Sequence, residues 1–298
     1  MSEDKKLTIV THSGHFHTDE IFAVATLLLV LGESGTTIVR SREQDIINRA
    51  DYAVDVGGVY DPLKKRFDHH QEGGAGMRIN SIPYASFGLL WKEYGQSLTA
   101  SQEVTEKIDQ ILVQPIDAID NGIDFIETKV PNLYPYEIGS FFESLYPSWK
   151  ETNVNVDDIF MQAVSYSKII LRREILKSKD FFEARDIVLD FYNKAGDKRI
   201  IVFDKYYPSD EFLKEFPEPV FTVFPRSDGK WGINTIREDS GSFKNRKSLP
   251  ESWAGKRDEE FEKLTGVEGA VFCHLGRFIA IANTKEAILK LAETAVSS

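Results

Sequence analysis

The 298-residue chain sets 36 Lys and Arg against 47 Asp and Glu, a formal charge of −11, so its surface as a whole repels polyanions and a general nucleic-acid coat protein is excluded. With 42% hydrophobic residues it can bury one large or two medium cores, yet its longest apolar run, residues 21–31, falls short of the ~20 residues that span a bilayer. The single cysteine, Cys273, excludes an internal disulfide or a Cys-based metal cluster; together with an acidic start, MSEDKKLTIV, that has no apolar leader core, it predicts a cytoplasmic protein.

In chain order, LTIVTHS reads as a buried strand and DEIFAVATLLLVLGESG as a helix closed by the glycines at 32 and 35. A strand in TTIVRS, a short helix around EQDIINRA, a strand in DYAVDVGG and a short strand in KRFDHHQ follow. Strands alternating with helices predict an α/β fold: a parallel sheet with helices on both faces. Ligands of such sheets bind at the carboxyl ends of the strands.

Residues 84–95 read as a helix, and SQEVTEKIDQILVQPIDAIDNG as a longer one, capped by Ser101, closed by Asn121-Gly122, and kinked or divided at Pro115. A loop rich in proline and aromatics, KVPNLYPYEIGS, leads to a long helix over residues 156–194. NKAGDK then marks a boundary, predicting domains 1–195 and 196–298. Beyond it come strands in RIIVFD, PVFTVFP, KWGINTI and GAVFCHLGRFIAIAN, with a hairpin turn at Ser227-Asp228-Gly229, and a closing helix, TKEAILKLAETA. The second domain is therefore smaller and mixed α/β.

Three clusters of acids and imidazoles fall at predicted strand ends: His12, His17 and Asp19 after the first, Asp55 after the third, and Asp68-His69-His70 after the fourth. Each alone has a plain structural reading, as a strand cap, a cap of the Gly57-Gly58 turn, or a solvated loop. A parallel sheet, however, brings all three into one crevice, where like charges repel by several kcal/mol unless a divalent ion reverses the sign. Carboxylates beside imidazoles, with no thiolate, suit Mn²⁺, Co²⁺ or Fe²⁺, with Mg²⁺ a poorer match. Two ions sharing a carboxylate could clamp the attacking and leaving oxygens of a phosphoryl transfer.

Lys244, Arg246, Lys247, Lys256 and Arg257 interrupt the acidic chain, with Trp231 and Trp253 near them in sequence. Guanidinium forks can grip phosphate and aromatic faces can stack bases. His274 and Arg277, in CHLGRF, are candidates for the same surface.

The ordered motifs THSGHFHTDE, VDVGGVYDP, RFDHHQ and AIDNG resemble the melanocyte-proliferating-gene (Myg) exonuclease family, a branch of the DHH phosphoesterase superfamily. The likeness continues through NRKSLPESWAGKRDEE and GVEGAVFCH to the last helix. It implies a DHH-type N-terminal domain holding two divalent ions, for which the ligand mixture puts manganese first, with magnesium or cobalt admissible. Their ligands would be His12, His17, Asp19, Asp55, His69 and Asp120, with His17 standing where many relatives have Asp and Asp55 bridging. His70 would face the scissile phosphate with Asp68 supporting it, so His70, Asp68 and Asp55 are the implied catalytic residues. The C-terminal domain would be a substrate lid, with Arg246, Lys247, Arg257, His274 and Arg277 on it. The implied activity is metal-dependent 3′–5′ trimming of single-stranded RNA or DNA.

Asp117 lies one turn before Asp120, so the register of that ligand stays open, and His15 is read as a neighbour of the site. A pyrophosphatase or small-nucleotide phosphatase, or a silent nucleotide- or metal-binding module, stands as the alternative. An amidohydrolase barrel is disfavoured because no histidine lies between His70 and His274. No membrane partner is expected, and a homodimer is allowed.

Overall fold

A computed structural model describes residues 6–239 and 244–298; residues 1–5, which contain most of the acidic start, lie outside the described residues. The chain forms two compact units, Met1–Lys179 and Asp180–Ser298. The protein is mixed α/β with two five-stranded sheets. No helix among the described residues is long and apolar enough to cross a membrane.

The first unit runs β1 (Leu7–Thr11), α1 (Thr18–Leu31), β2 (Thr36–Arg40), α2 (Gln44–Arg49), β3 (Tyr52–Val54), β4 (Tyr60–Asp61), β5 (Arg66–Phe67), α3 (Ser86–Thr99), α4 (Gln102–Ile108), α5 (Gln114–Asp120), α6 (Ile138–Glu143) and α7 (Val156–Lys194), the last passing through the division. Its sheet has the order β2-β1-β3-β5-β4. β2, β1, β3 and β5 are parallel, whereas β4 pairs antiparallel with β5. That edge strand departs from the all-parallel expectation: Pro62 ends it after two residues, leaving no run that periodicity could register.

Alternation along β1 puts Ile9 and Val10 on opposite faces. Val10 packs with Ile47 and Ala50 of the α2 side. α1 packs on the sheet at β3, and its residues 19–28 are all buried. Phe22 of α1 stacks on Phe87 of α3 with ring centroids 5.2 Å apart, and each such aromatic or aliphatic burial contributes roughly 1.5–3 kcal/mol. α1 starts where Glu20, at its third position, accepts the His17 backbone N–H at 2.8 Å, and ends at Gly32 with φ 83°.

The expected long helix over residues 101–122 is divided. Ser101 caps α4 by accepting the Val104 N–H, a π-helical turn occupies Asp109–Val113, and α5 starts just before Pro115. Proline lacks the N–H that would continue the ladder, so the break falls there.

The second unit contains β6 (Ile200–Val202), α8 (Asp210–Leu213), β7 (Phe221–Pro225), β8 (Trp231–Thr235), α9 (Asp258–Thr265), β9 (Ala270–Cys273), β10 (Ile279–Ala282) and α10 (Lys285–Ser297). Its sheet has the order β6-β7-β8-β10-β9 and is mixed, parallel only between β6 and β7. The expected turn at Ser227-Asp228-Gly229 joins β7 to β8, with Gly229 at φ 79°. Phe221, Val223, Ile233, Ile288 and Leu291 fill its core.

Candidate metal centre

Because β1, β3 and β5 run parallel, their carboxyl ends deliver His12, Asp55 and the Asp68-His69-His70 triplet to one side of the first unit. The start of α1 adds His17, Asp19 and Glu20, and the last residue of α5 adds Asp120. Asp55 holds a left-handed backbone, φ 54°, a conformation that costs a non-glycine residue about 1 kcal/mol and recurs at functional sites.

The side chains form three overlapping groups, each with one ligand atom per residue and all those atoms within 4.8 Å: His12, His17, Glu20 and Asp55; Asp55, His69 and His70; Asp19, His69 and Asp120. Asp55 and His69 each belong to two groups. His12 Nε2 lies 3.0 Å from Glu20 and 3.3 Å from Asp55; His69 Nε2 lies 3.0 Å from Asp120 and 3.4 Å from Asp55. Both Nε2 atoms are buried, each within ion-pair reach of two carboxylates but without an aligned hydrogen bond among the described residues. Buried imidazole nitrogens that face carboxylate oxygens in this way are satisfied by a proton or by a cation that accepts their lone pair. The residues present therefore fit divalent cations.

The charges support the same reading. Burial would strip His12 of its proton, but Asp55 and Glu20 override it and push the imidazole up to about 10. Burial likewise opposes His69, and Asp120 and Asp55 carry it to about 11. Burial, then the carboxylates of Asp120, Asp55 and Asp117, raise Asp19 well above its ordinary range. Burial also raises Glu20, against the pull of His12. For Asp55, burial is outweighed by His12 and His69, which hold it below the usual carboxylate range. The cluster is short of positive charge and takes up protons to supply it.

Three of these acids also organise α3. Its cap position is Ala85, which has no side-chain acceptor. Asp19 instead accepts the Ser86 and Phe87 N–H groups at 3.0 and 2.7 Å, and Asp117 accepts that of Gly88 at 3.0 Å. Asp55 accepts the Ser86 hydroxyl at 3.1 Å.

The register left open in the sequence is visible here: Asp120 sits beside His69, whereas Asp117 turns to Arg78 at 2.7 Å. Arg78 also grips Asp109 with two nitrogens, so it ties both sides of the π-helical turn. Burial, opposed by Arg78, pushes Asp117 up to about 7. A Cβ on Gly88 would lie 1.9 Å from Asp117 Oδ2. Gly88→Ala is therefore expected to destabilise the metal-free protein by roughly 1–3 kcal/mol, measured by urea unfolding; an unchanged midpoint would show that the Arg78 clamp can give way.

His15 pairs with Glu143 at 2.8 Å and lies over Tyr146, outside all three groups. His70 is largely exposed; its Nδ1 meets Asp68 at 2.8 Å, and that partner raises its pKa. Asp68 is fixed in turn by the Gly58 N–H at 2.6 Å. A cleft of about 820 Å³ opens over the cluster, with Phe16, Ile116, Ile119 and Phe142 on its apolar side and Arg42 as the single Lys or Arg among its described lining residues. The sequence shows Glu20 among the crowded acids and histidines after the first strand but assigns it no ligand role, and it gives no sign of Arg42, which carries no motif. The one signal was Glu20's place at the third helix position beside the histidines.

Candidates in the second unit divide. Arg246 does not present a free fork, because its guanidinium donates to the carbonyls of Phe216, Pro219 and Lys214; Lys247 donates to the Val296 carbonyl at 3.0 Å. Trp253 is 3% exposed, inside the core, so it cannot stack a base; Trp231 is partly buried beneath Lys285. Lys256 pairs with Glu260, and Lys244 with Glu238. Arg257 is exposed over the Phe272 ring, and His274, against Phe278, opens the turn that contains Arg277.

Fold and cleft together define a class: an α/β protein whose parallel strand ends gather imidazoles and carboxylates suited to divalent cations. The family model MYG1_exonuc, described as "Uncharacterised protein family (UPF0160)", matches residues 8–296. The chain belongs to this MYG1 family. It is 32% identical to the MYG1 protein of Dictyostelium discoideum over 96% of this chain and 95% of that protein. It is 29% identical to the MYG1 exonuclease of Bos taurus, covering 97% of this chain and 84% of the relative. To the MYG1 exonuclease of Homo sapiens the identity is 28%, over 97% and 85%.

Proposed function

We propose that the protein is a metal-dependent phosphodiesterase of DHH type, a 3′–5′ exonuclease on single-stranded RNA or DNA in the cytoplasm. The observation that carries the reading is the pair of buried Nε2 atoms of His12 and His69 set among Asp19, Glu20, Asp55 and Asp120, with ligand atoms within 4.8 Å of one another in each group. His12, His17 and Asp55 would hold one ion, and Asp19, Asp55, His69 and Asp120 a second, with Glu20 orienting His12. When bound, divalent ions, manganese first and magnesium or cobalt admissible, would activate water and offset charge on the phosphate.

The remaining roles fall to the chain itself. His70, its Nδ1 held by Asp68, would as an imidazolium donate from its other nitrogen to phosphate oxygens. Arg42, anchored through its Nε to the Ser13 carbonyl at 3.2 Å, keeps its two terminal nitrogens for a non-bridging oxygen. In the second unit, Arg257, His274 and Arg277 are assigned to substrate contact, while Arg246 and Lys247 brace that unit. The exonuclease names of the mammalian relatives support the same class of activity.

The test is release of p-nitrophenol from thymidine 5′-monophosphate p-nitrophenyl ester and shortening of a 5′-labelled single-stranded oligonucleotide, with Mn²⁺ and with EDTA. Metal-dependent laddering from the 3′ end is expected. Preference for inorganic pyrophosphate would reassign the substrate, and silence with Mn²⁺, Mg²⁺ and Co²⁺ would leave a binding module. Arg42→Ala should raise KM about 10- to 100-fold, the worth of a charged hydrogen bond, and lower the salt slope of oligonucleotide binding by about one charge. Unchanged KM would remove Arg42 from the phosphate.

A further inference from the structure

The chain leaves the cleft at Asp120 and re-enters it at Glu137, both lining residues. Between them a loop holds large apolar side chains in solvent: Phe125 is 51% exposed, Leu133 62%, Tyr134 73% and Tyr136 72%. Several large apolar side chains exposed along one loop are the kind of feature that marks an interaction site. The loop is shaped rather than slack. Leu133 N–H donates to the Val130 carbonyl at 3.2 Å across a turn with Asn132 at φ 62°, and prolines precede Asn132 and Tyr136. The Tyr136 hydroxyl donates to the Ser140 carbonyl at 3.0 Å, and Ser140 lines the cleft. Tyr136 is thus held by its polar tip while most of its surface stays open.

We infer that Tyr134 and Tyr136 form a stacking platform for unpaired nucleobases of a strand whose phosphate occupies the cleft, an inference that rests on the proposed phosphodiesterase reading. The loop carries one lysine, Lys129, against Asp124 and Glu127, so it does not track phosphates. Aromatic faces on near-neutral backbone suit bases of any sequence. The same chemistry lets an acidic protein hold a polyanion, because stacked bases add grip that needs no positive charge.

The experiment measures anisotropy of a fluorescein-labelled single-stranded 12-mer in EDTA, with Mn²⁺ kinetics on the 12-mer and on the p-nitrophenyl ester alongside. Tyr134→Ala and Tyr136→Ala should each weaken 12-mer binding on the order of tenfold, the usual worth of one stacked base. The ratio of kcat/KM for the 12-mer to that for the ester should fall similarly, and Tyr134→Trp should keep it. Unchanged 12-mer binding, or equal losses on both substrates, overturns the platform. So does a shift from dimer to monomer on sedimentation, which would make the loop an interface between copies. If the wild type binds the 12-mer through these tyrosines yet cleaves neither substrate, the platform stands and the hydrolase reading falls.

Discussion

Asp55→Asn is expected to abolish tight Mn²⁺ binding and to cut hydrolysis by more than about 100-fold, beyond the 10- to 100-fold loss usual for a ligand's outer partners. Asp55 faces His12, His69 and His70 at 3.3 to 3.4 Å and belongs to two of the three ligand groups, so no other single carboxylate touches as much of the cluster. Asparagine is the informative replacement. It tolerates the left-handed backbone at φ 54° better than most side chains and keeps an oxygen for the Ser86 hydroxyl. The change therefore removes charge and little else. Calorimetric titration with Mn²⁺ and the ester assay check it; retained affinity would move the shared ligand elsewhere.

Metal affinity should also climb steeply with pH. In the metal-free protein His12 titrates near 10 and His69 near 11, so both carry protons at pH 7 that an incoming cation must displace. Release of two protons raises apparent affinity by as much as about 100-fold per pH unit below that range. For the metal-free protein the sign is opposite. A raised imidazole pKa contributes stability that is complete below the unfolded value of about 6.5 and is lost as pH rises through about 10 to 11. Raised Asp19 and Glu20 act in the same direction, while the lowered Asp55 and Asp68 withdraw their contribution only in acid. Thermal unfolding from pH 6 to 10 should show Tm falling with EDTA and the Mn²⁺ increment growing. A constant increment would mean that the cation displaces no proton.

Much of this arrangement was legible beforehand because it follows from period and polarity. The α7 range was readable since apolar residues such as Phe160, Val164, Leu171 and Ile175 recur at helical spacing, and parallel strands dictate that His12, Asp55 and His69 meet. What escaped depends on contacts distant in sequence. The π-helical turn is tied across by Arg78, which lies 31 residues from Asp109, so local pattern showed a break at Pro115 and not its form. α9, DEEFEKLT, has too few apolar positions to register as a helix. Arg246 looks free in a basic stretch, and only the fold brings three carbonyls to it.

Asp19, which stands in for the missing cap of α3, is also set around the cleft, so architecture and reactivity draw on the same side chain. Any change that retunes the chemistry at Asp19 also unsettles the first turn of a central helix. Selection for a different metal or substrate would meet that constraint first, leaving the cleft rim as the freer place to vary.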